Sequence, residues 1–242
     1  MKIGILATGH TRGELAAEHG EYWTMFERML GAAAPDFAFE TVAVVDGAPL
    51  PAPEACDGWL VTGSRHGVYD DLPWIDPLKA FLREARAARR PIVGVCFGHQ
   101  ILAEAFGGRA VKHPGGWRLG AHDFAFANGP DWAAAVAGTR RLHSVHQDQV
   151  VEIPADATVW AESPGCAYAA LIYGDPEKPE AVSVQPHPEF DPPFAAALVD
   201  WLERNGSVPP EIGAAARESV GGPVHNAEMA RVFAAYFRAA VP

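Results

Sequence analysis

The feature that most constrains the fold is a short segment in which a buried strand turns abruptly into a helix at a cysteine. Residues 91–95 are apolar and β-branched, which predicts a buried strand. From Gly98 onward, apolar residues recur at helical spacing until a pair of glycines ends the pattern. Gly94 and Gly98 flank Cys96 and allow the backbone to reverse tightly without side-chain collision. The pattern Gly-x-Cys-x-Gly is therefore the cysteine form of a nucleophile elbow.

The position of Cys96 predicts a reactive thiol. At such an elbow the sulfur stands above the sheet, at the start of a helix. The free N–H groups and the dipole of a helix N-terminus favour negative charge, so they favour the nucleophilic thiolate. A buried structural cysteine is the usual alternative for a free thiol. The turn alone is moderately specific, so the nucleophile hypothesis requires a base elsewhere in the chain.

A candidate base and acid follow a second buried strand, over residues 180–185. Two prolines keep the next segment extended, so His187 and Glu189 project to the same side. A carboxylate beside an imidazole fixes its tautomer and stabilises the imidazolium. The carboxyl ends of parallel strands share the edge at which open α/β sheets bind ligands. The sequence therefore predicts that Cys96, His187 and Glu189 meet as nucleophile, base and orienting acid.

Strands and helices alternate along most of the chain, beginning with a strand at residues 2–7. This alternation predicts an α/β fold with a doubly wound, mainly parallel sheet flanked by helices. Between residues 109 and 173 the pattern changes to short strands, which predicts a small antiparallel insertion. We expect one domain over residues 1–242, with a catalytic core at 1–190 and a helical C-terminal extension at 191–242.

The composition excludes several classes of partner. The chain has 19 basic and 30 acidic residues, a net charge of −11, which argues against binding nucleic acid. No basic run or long apolar run indicates a membrane, and the N-terminal apolar stretch is too short for a signal peptide. The three cysteines are unpatterned, so we expect no disulfide framework. These observations favour the reducing cytoplasm, where Cys96 stays active.

Three segments resemble the class I glutamine amidotransferase family: Gly-Val-Cys-Phe-Gly-His-Gln at 94–100, Gln-Pro-His-Pro-Glu-Phe at 185–190 and Leu-Val-Thr-Gly-Ser at 60–64. Their order and approximate spacing also match, and together they span most of residues 1–190. The resemblance implies a flavodoxin-like sheet and one domain of this family. It also implies a Cys–His–Glu triad in which Cys96 is the nucleophile.

The resemblance assigns further site residues. It implies that the backbone amides of Gly63 and Phe97 form the oxyanion hole, and that Gln100 helps to bind the glutamine side chain. The segment Ser-Val-His-Gln-Asp resembles one that lines the same pocket, which makes Ser144 and His146 candidates for substrate binding. The chemistry requires no metal, nucleotide or organic cofactor.

The implied activity is hydrolysis of the γ-amide of glutamine or of a γ-glutamyl compound, through a γ-glutamyl thioester on Cys96. The motifs look most like those of stand-alone members, some of which are γ-glutamyl peptidases or hydrolases. One alternative is a glutaminase subunit that delivers ammonia to a separate synthetase partner.

Two alternatives come from other classes. In a Cys–His–Asp α/β-hydrolase for esters or lactones the acid precedes the histidine, whereas here Glu189 follows His187. A catalytically silent regulatory or scaffold protein is the other alternative, and the presence of nucleophile, base and acid argues against it.

Other polar residues have simpler interpretations. His99 follows the elbow and competes as a base, but on the first helical turn it is better placed for a packing hydrogen bond. His143 and His146 are three residues apart, yet no cysteine or carboxylate cluster completes a zinc site, so we expect no metal. Arg65 belongs to a segment after Gly63 that is a candidate for controlling access or recognising substrate.

Overall fold

A computed structural model describes residues 1–127 and 129–240, so residues 128, 241 and 242 of the expected domain lie outside the description. The strands, in chain order, are β1 (Lys2–Leu6), β2 (Ala38–Val42), β3 (Gly58–Val61), β4 (Ile92–Val95), β5 (Arg109–Lys112), β6 (Arg118–Phe126), β7 (Gly138–His146), β8 (Asp148–Glu152), β9 (Ala157–Ser163), β10 (Cys166–Tyr173) and β11 (Ala181–Val184). The helices are α1 (Gly13–His19), α2 (Tyr22–Ala33), α3 (Ile75–Ala87), α4 (Phe97–Ala105), α5 (Pro192–Arg204), α6 (Pro210–Val220) and α7 (Asn226–Ala240). No helix in these ranges is long and apolar enough to cross a membrane.

Nine strands form one mixed sheet, in the order β2-β1-β3-β4-β11-β10-β9-β6-β7. The first five strands in this order run parallel, and the other four continue the sheet in antiparallel pairs. β5 and β8 form a separate antiparallel pair. The expected α/β architecture with a parallel sheet is therefore confirmed. The antiparallel strands of the insertion extend the main sheet directly.

The pairing of β3, β4 and β11 brings the three sequence motifs to one edge of the sheet. Every residue of these strands is buried, because helices or loops cover both faces. β4 pairs in parallel with β3 on one side and with β11 on the other. The N–H of Cys96 continues this pairing by donating to the Val184 carbonyl oxygen at 2.9 Å. The loops that carry Gly63, Cys96 and His187 consequently leave neighbouring strands at the same end.

The helices enclose the sheet with two apolar cores. α3 and α4 pack with residues such as Trp59 on one face. α2 and α7 pack with residues such as Ile5 on the other. The hydroxyl of Tyr236 in α7 accepts a hydrogen bond from the Ile92 N–H at 3.2 Å, although these residues are distant in sequence. We propose that the chain forms a single domain, because α7 from the C-terminal extension completes the core beside the first strands.

The elbow itself is held by close backbone contacts. A β-carbon at Gly94 would lie 2.4 Å from the Gly98 carbonyl oxygen, and one at Gly98 would lie 2.3 Å from the Val61 carbonyl oxygen. Both glycines are therefore required for space. The left-handed φ of 54° falls on Cys96, which precedes α4. Such a conformation costs about 1–3 kcal/mol in a non-glycine residue and persists only where the surroundings enforce it.

We expect Gly94→Ala to lower the free energy of unfolding by about 1–3 kcal/mol, since a methyl group would overlap the backbone of α4. Urea unfolding followed by circular dichroism measures this change. Gly221→Ala is the matched control, because no atom lies within 4 Å of its added β-carbon. A loss in Gly94→Ala no larger than that in the control would contradict the close approach.

Candidate active site

Cys96 lies at the bottom of a cleft at the carboxyl edge of the sheet. The cleft has a volume of about 340 Å³, and its lining includes Gly63, Cys96 and His187. Cys96 is 5% exposed and belongs to the lining of this cleft. Cys96 immediately precedes α4. The first N–H groups of this helix have no acceptor within the helix.

His187 is fixed on three sides. Its Nδ1 lies 2.7 Å from Glu189 Oε1, and the side chains are 6% and 1% exposed. The imidazole stacks on the Phe190 ring with centroids 4.0 Å apart and planes 4° apart. The backbone N–H of His187 donates to the backbone carbonyl oxygen of His143 at 2.8 Å. With Nδ1 committed to the carboxylate, Nε2 is the ring nitrogen left for the reaction.

Gly63 lies between the imidazole and the cysteine. A β-carbon placed on this glycine would be 2.9 Å from His187 Cε1 and 3.7 Å from Cys96 Cβ. The absence of a side chain at position 63 therefore leaves the space in which the two functional groups meet. The structure brings Cys96, His187 and Glu189 together at this point.

The electrostatics of His187 favour the imidazolium. Burial by itself lowers the pKa of His187, because a charged ring loses its hydration. The neighbouring Glu189 carboxylate and the Cys96 sulfur outweigh this effect and raise the pKa of His187 to about 10. Both neighbours therefore favour the charged form of the ring.

Two backbone amides beside the sulfur are available as donors. Within the described ranges, neither the Gly63 N–H nor the Phe97 N–H donates a hydrogen bond. The Gly63 peptide is held in place by the Thr62 hydroxyl, which donates to the Gly63 carbonyl oxygen at 3.1 Å. Two free, fixed N–H groups next to a nucleophile are the elements of an oxyanion hole.

The remaining expected site residues divide into two groups. Gln100 and His146 line the cleft, and both donate to the Asp148 carbonyl oxygen, at 2.9 Å from Gln100 Nε2 and 3.0 Å from His146 Nδ1. Gln100 Nε2 also donates to Gln185 Oε1 at 3.1 Å. Ser144 is fully buried in β7 and lies outside the described lining of the cleft.

The comparisons with known proteins agree with the sequence motifs. The family model described as "Glutamine amidotransferase class-I" matches residues 47–196. The chain belongs to the class I glutamine amidotransferase family. The protein named "Gamma-glutamyl peptidase 3" of Arabidopsis thaliana is 27% identical over 189 residues, which are 76% of this chain and 69% of that protein. A glutamine-hydrolyzing GMP synthase subunit of Halobacterium salinarum is 30% identical over 172 residues, which are 71% of this chain and 85% of that protein.

The structural comparison supports the same family fold. A glutamine amidotransferase from Thermotoga maritima superposes with a TM-score of 0.70 and covers 99% of this chain and 98% of the other, at 19% identity. A second structure, a glutamine amidotransferase from Methylobacillus flagellatus, has a TM-score of 0.71 at 22% identity, covering 98% of this chain and 94% of the other. The flavodoxin-like, doubly wound fold expected from the sequence is therefore confirmed.

Two other histidines, His99 and His143, do not line the cleft and lie beside hydrogen-bond partners of their own. His99 is fully buried, its Nδ1 lies 2.7 Å from the Ser183 hydroxyl, and burial lowers its pKa to about 3. The ring nitrogens of His143 lie 2.9 Å and 3.3 Å from the carbonyl oxygens of Phe190 and Val220. Within residues 1–127 and 129–240, no group of three or more His, Cys, Asp or Glu residues is arranged to hold a metal ion.

The cleft also contains residues that sequence reasoning missed. Arg12, in the loop after β1, and Tyr22, at the start of α2, line one wall. Leu198 and Leu202 of α5 line it as well. Arg12 carried a detectable signal, because it follows a strand whose carboxyl end belongs to the ligand-binding edge.

We expect Glu189→Gln to lower the pKa of His187, because glutamine lacks the charge that opposes the effect of burial. Because the pKa of His187 is raised in the folded state, the interaction between His187 and Glu189 contributes its full stabilisation of the fold below pH 6.5. This contribution is lost as the pH rises through about 10. NMR titration of the imidazole resonances measures the shift, with His187→Asn for assignment. Glu177→Gln, in an exposed loop, is the control. An unchanged His187 titration in Glu189→Gln would exclude the carboxylate as the cause.

Proposed function

We propose that this protein hydrolyses the γ-amide bond of glutamine or of γ-glutamyl compounds through a γ-glutamyl thioester on Cys96. The observation that carries the proposal is a single cleft in which Cys96 lies beside an imidazole held 2.7 Å from a buried carboxylate. The similarity to proteins named gamma-glutamyl peptidase supports the γ-glutamyl class of substrate. No cofactor takes part in the steps that we assign.

In the first step the Cys96 thiolate attacks the γ-carbonyl carbon and forms the C–S bond. The carbonyl π electrons move to oxygen, which becomes an oxyanion. The N–H groups of Gly63 and Phe97 donate to that oxygen, and they are free to do so because they have no other acceptor among the described residues. Loss of one such donor typically costs about 10²–10³-fold in rate.

His187 then transfers protons in both directions. Its imidazolium gives the Nε2 proton to the leaving nitrogen, the C–N bond breaks and the thioester remains. The neutral imidazole next takes a proton from water as the water oxygen attacks the thioester carbonyl. The C–S bond breaks, glutamate leaves, and the thiolate and imidazolium are restored. Glu189 stays ionised and keeps Nδ1 as the donor that orients the ring.

Gln100 and His146 shape the end of the cleft that takes the glutamyl group. The hydrogen bond from Gln100 to the Asp148 carbonyl oxygen holds the turn between β7 and β8 against α4, and the one from His146 lies within the turn. We assign substrate contact to these two side chains. We assign no substrate contact to Ser144, because it is fully buried and is not among the residues that line the cleft.

A second candidate function is delivery of ammonia to a separate synthetase partner. The similarity to the GMP synthase subunit of Halobacterium salinarum favours it. The two functions differ in the isolated protein: a hydrolase turns over γ-glutamyl peptides alone, whereas a synthetase subunit has weak glutaminase activity that rises with its partner. We favour the hydrolase and a cytoplasmic location, where Cys56, Cys96 and Cys166 persist as the free thiols seen here.

We expect Cys96→Ala to reduce glutamate release from glutamine and γ-glutamyl peptides by at least roughly 10³-fold, because the nucleophile is removed. Cys166→Ala is the control, since burial raises the pKa of that thiol to about 11 and it lines a different cavity. Mass spectrometry of the wild type after treatment with an electrophilic γ-glutamyl ketone tests the same assignment. The adduct is expected on the peptide that contains Cys96. Normal turnover in a folded Cys96→Ala protein would refute the thioester mechanism.

A further inference from the structure

Two arginines in the wall of the cleft have no part in the steps described above. Arg12 follows β1 and Arg65 follows β3, so the parallel pairing of these strands brings both to the carboxyl edge of the sheet. Both side chains line the cleft that contains Cys96 and His187. Arg65 lies in the segment after Gly63 that the sequence already singled out for substrate recognition.

Neither arginine is neutralised by a carboxylate within residues 1–127 and 129–240. The Arg12 guanidinium lies over the Trp201 ring, 5.3 Å from its centroid. The Arg65 Nε donates only to His66 Nε2, at 3.4 Å. The acidic residues of the cleft have other partners: Asp70 accepts from the Gly67 N–H at 3.0 Å, and Asp148 accepts from the Tyr69 hydroxyl at 3.0 Å. Two unneutralised guanidinium groups in a chain of net charge −11 indicate a place for a bound anion.

The electrostatics point in the same direction. Burial lowers the pKa of Arg12, and the charge of Arg65 lowers it further. Burial also lowers the pKa of His66, and both arginines add to this effect, whereas the neighbouring Asp70 opposes it. The two guanidinium groups therefore repel one another, and an anion between them relieves that repulsion.

The position of the arginines relative to His187 determines which part of the substrate they meet. His187 gives its proton to the leaving nitrogen, so the leaving group lies on the His187 side of Cys96. His187 stacks on Phe190, whose ring centroid is 5.7 Å from that of Tyr22. Tyr22 is in turn close enough to Arg12 for the guanidinium to lower its pKa against the larger effect of burial. The residues around the Asp148 carbonyl belong to α4 and the β7–β8 turn, and Arg12 has no hydrogen bond to this group within the described residues.

We infer that Arg12 and Arg65 bind a carboxylate on the leaving group, so that the preferred substrates are γ-glutamyl peptides with a free carboxylate rather than glutamine or neutral γ-glutamyl amides. The inference rests on the proposed hydrolysis at Cys96. A guanidinium is suited to this role because its planar donors match a carboxylate in pairs. Phe190, Leu198 and Leu202 give the leaving group an apolar surface beside the charges.

The test compares γ-glutamylglycine with γ-glutamylglycinamide, which differ only in a carboxylate against a carboxamide. We expect the wild type to favour γ-glutamylglycine in kcat/KM by roughly tenfold or more, the effect of a charge-assisted hydrogen bond. The variant Arg12→Gln/Arg65→Gln is expected to lose this preference. Arg109→Gln, an exposed arginine paired with Glu152, is the matched control and keeps the wild-type ratio.

The possible results distinguish failure of the inferred carboxylate recognition from failure of the proposed hydrolysis. An unchanged ratio in the double variant overturns the inference. Equal losses on both compounds and on glutamine also overturn it, because they assign the arginines to the α-carboxylate of the glutamyl group. Thermal unfolding of each variant tests whether the fold is intact. If the change at Arg12 disturbs packing on Trp201, the single variant Arg65→Gln is compared with the wild type instead.

A binding measurement covers the case in which the wild type hydrolyses neither compound. In Cys96→Ala protein, titration calorimetry is expected to give tighter binding of γ-glutamylglycine than of γ-glutamylglycinamide, and the two arginine substitutions are expected to abolish the difference. Selective binding without turnover refutes the proposed function and supports the recognition. Turnover without selectivity supports the function and refutes the recognition. Binding of neither compound refutes the recognition.

Discussion

The active site depends on the close approach of helix α4 to strands β3 and β4. Gly94 and Gly98 face backbone atoms at distances that exclude any side chain, so the chain reverses within the short segment between them. Cys96 takes the left-handed φ of 54° as a consequence. Buried strands on both sides supply the packing that enforces this conformation. The strain and the reactive position of the sulfur therefore have the same origin, which is lack of space beneath the helix.

The environment of His187 combines two opposing effects. Burial removes water from the ring and disfavours its charge, whereas Glu189 and the cysteine favour it and prevail. Burial also makes the carboxylate effective, since its charge is not screened by solvent. Stacking on Phe190 and the hydrogen bond from the His187 N–H keep the ring in one orientation. Burial therefore disfavours the charge of the ring. In the proposed mechanism, the same packing holds the ring in the orientation from which it donates its proton to the leaving nitrogen.

The cleft has walls of different origin. The wall of α4 and the β7–β8 turn is held by uncharged hydrogen bonds around the Asp148 carbonyl oxygen. The loops after β1 and β3 and helix α5 supply the rest of the lining, including Arg12 and Arg65, and Tyr69 of the loop after β3 reaches Asp148. In the function that we propose, the elbow and the His-x-Glu segment carry out the reaction, while loops of this second kind determine which γ-glutamyl compound fits.

The sequence by itself determined the elements that depend on neighbouring residues: the strand and helix joined at Cys96, the extended His187 segment and the alternation that requires a parallel sheet. Steric limits at glycine and proline act within a few residues, so a single sequence reveals them. Only the tertiary structure decided that the antiparallel strands extend the main sheet, that α7 completes its core and that Arg12 faces the cleft while Ser144 does not. These outcomes depend on which distant strands pair and on how loops pack over their ends. Local periodicity carries no record of either.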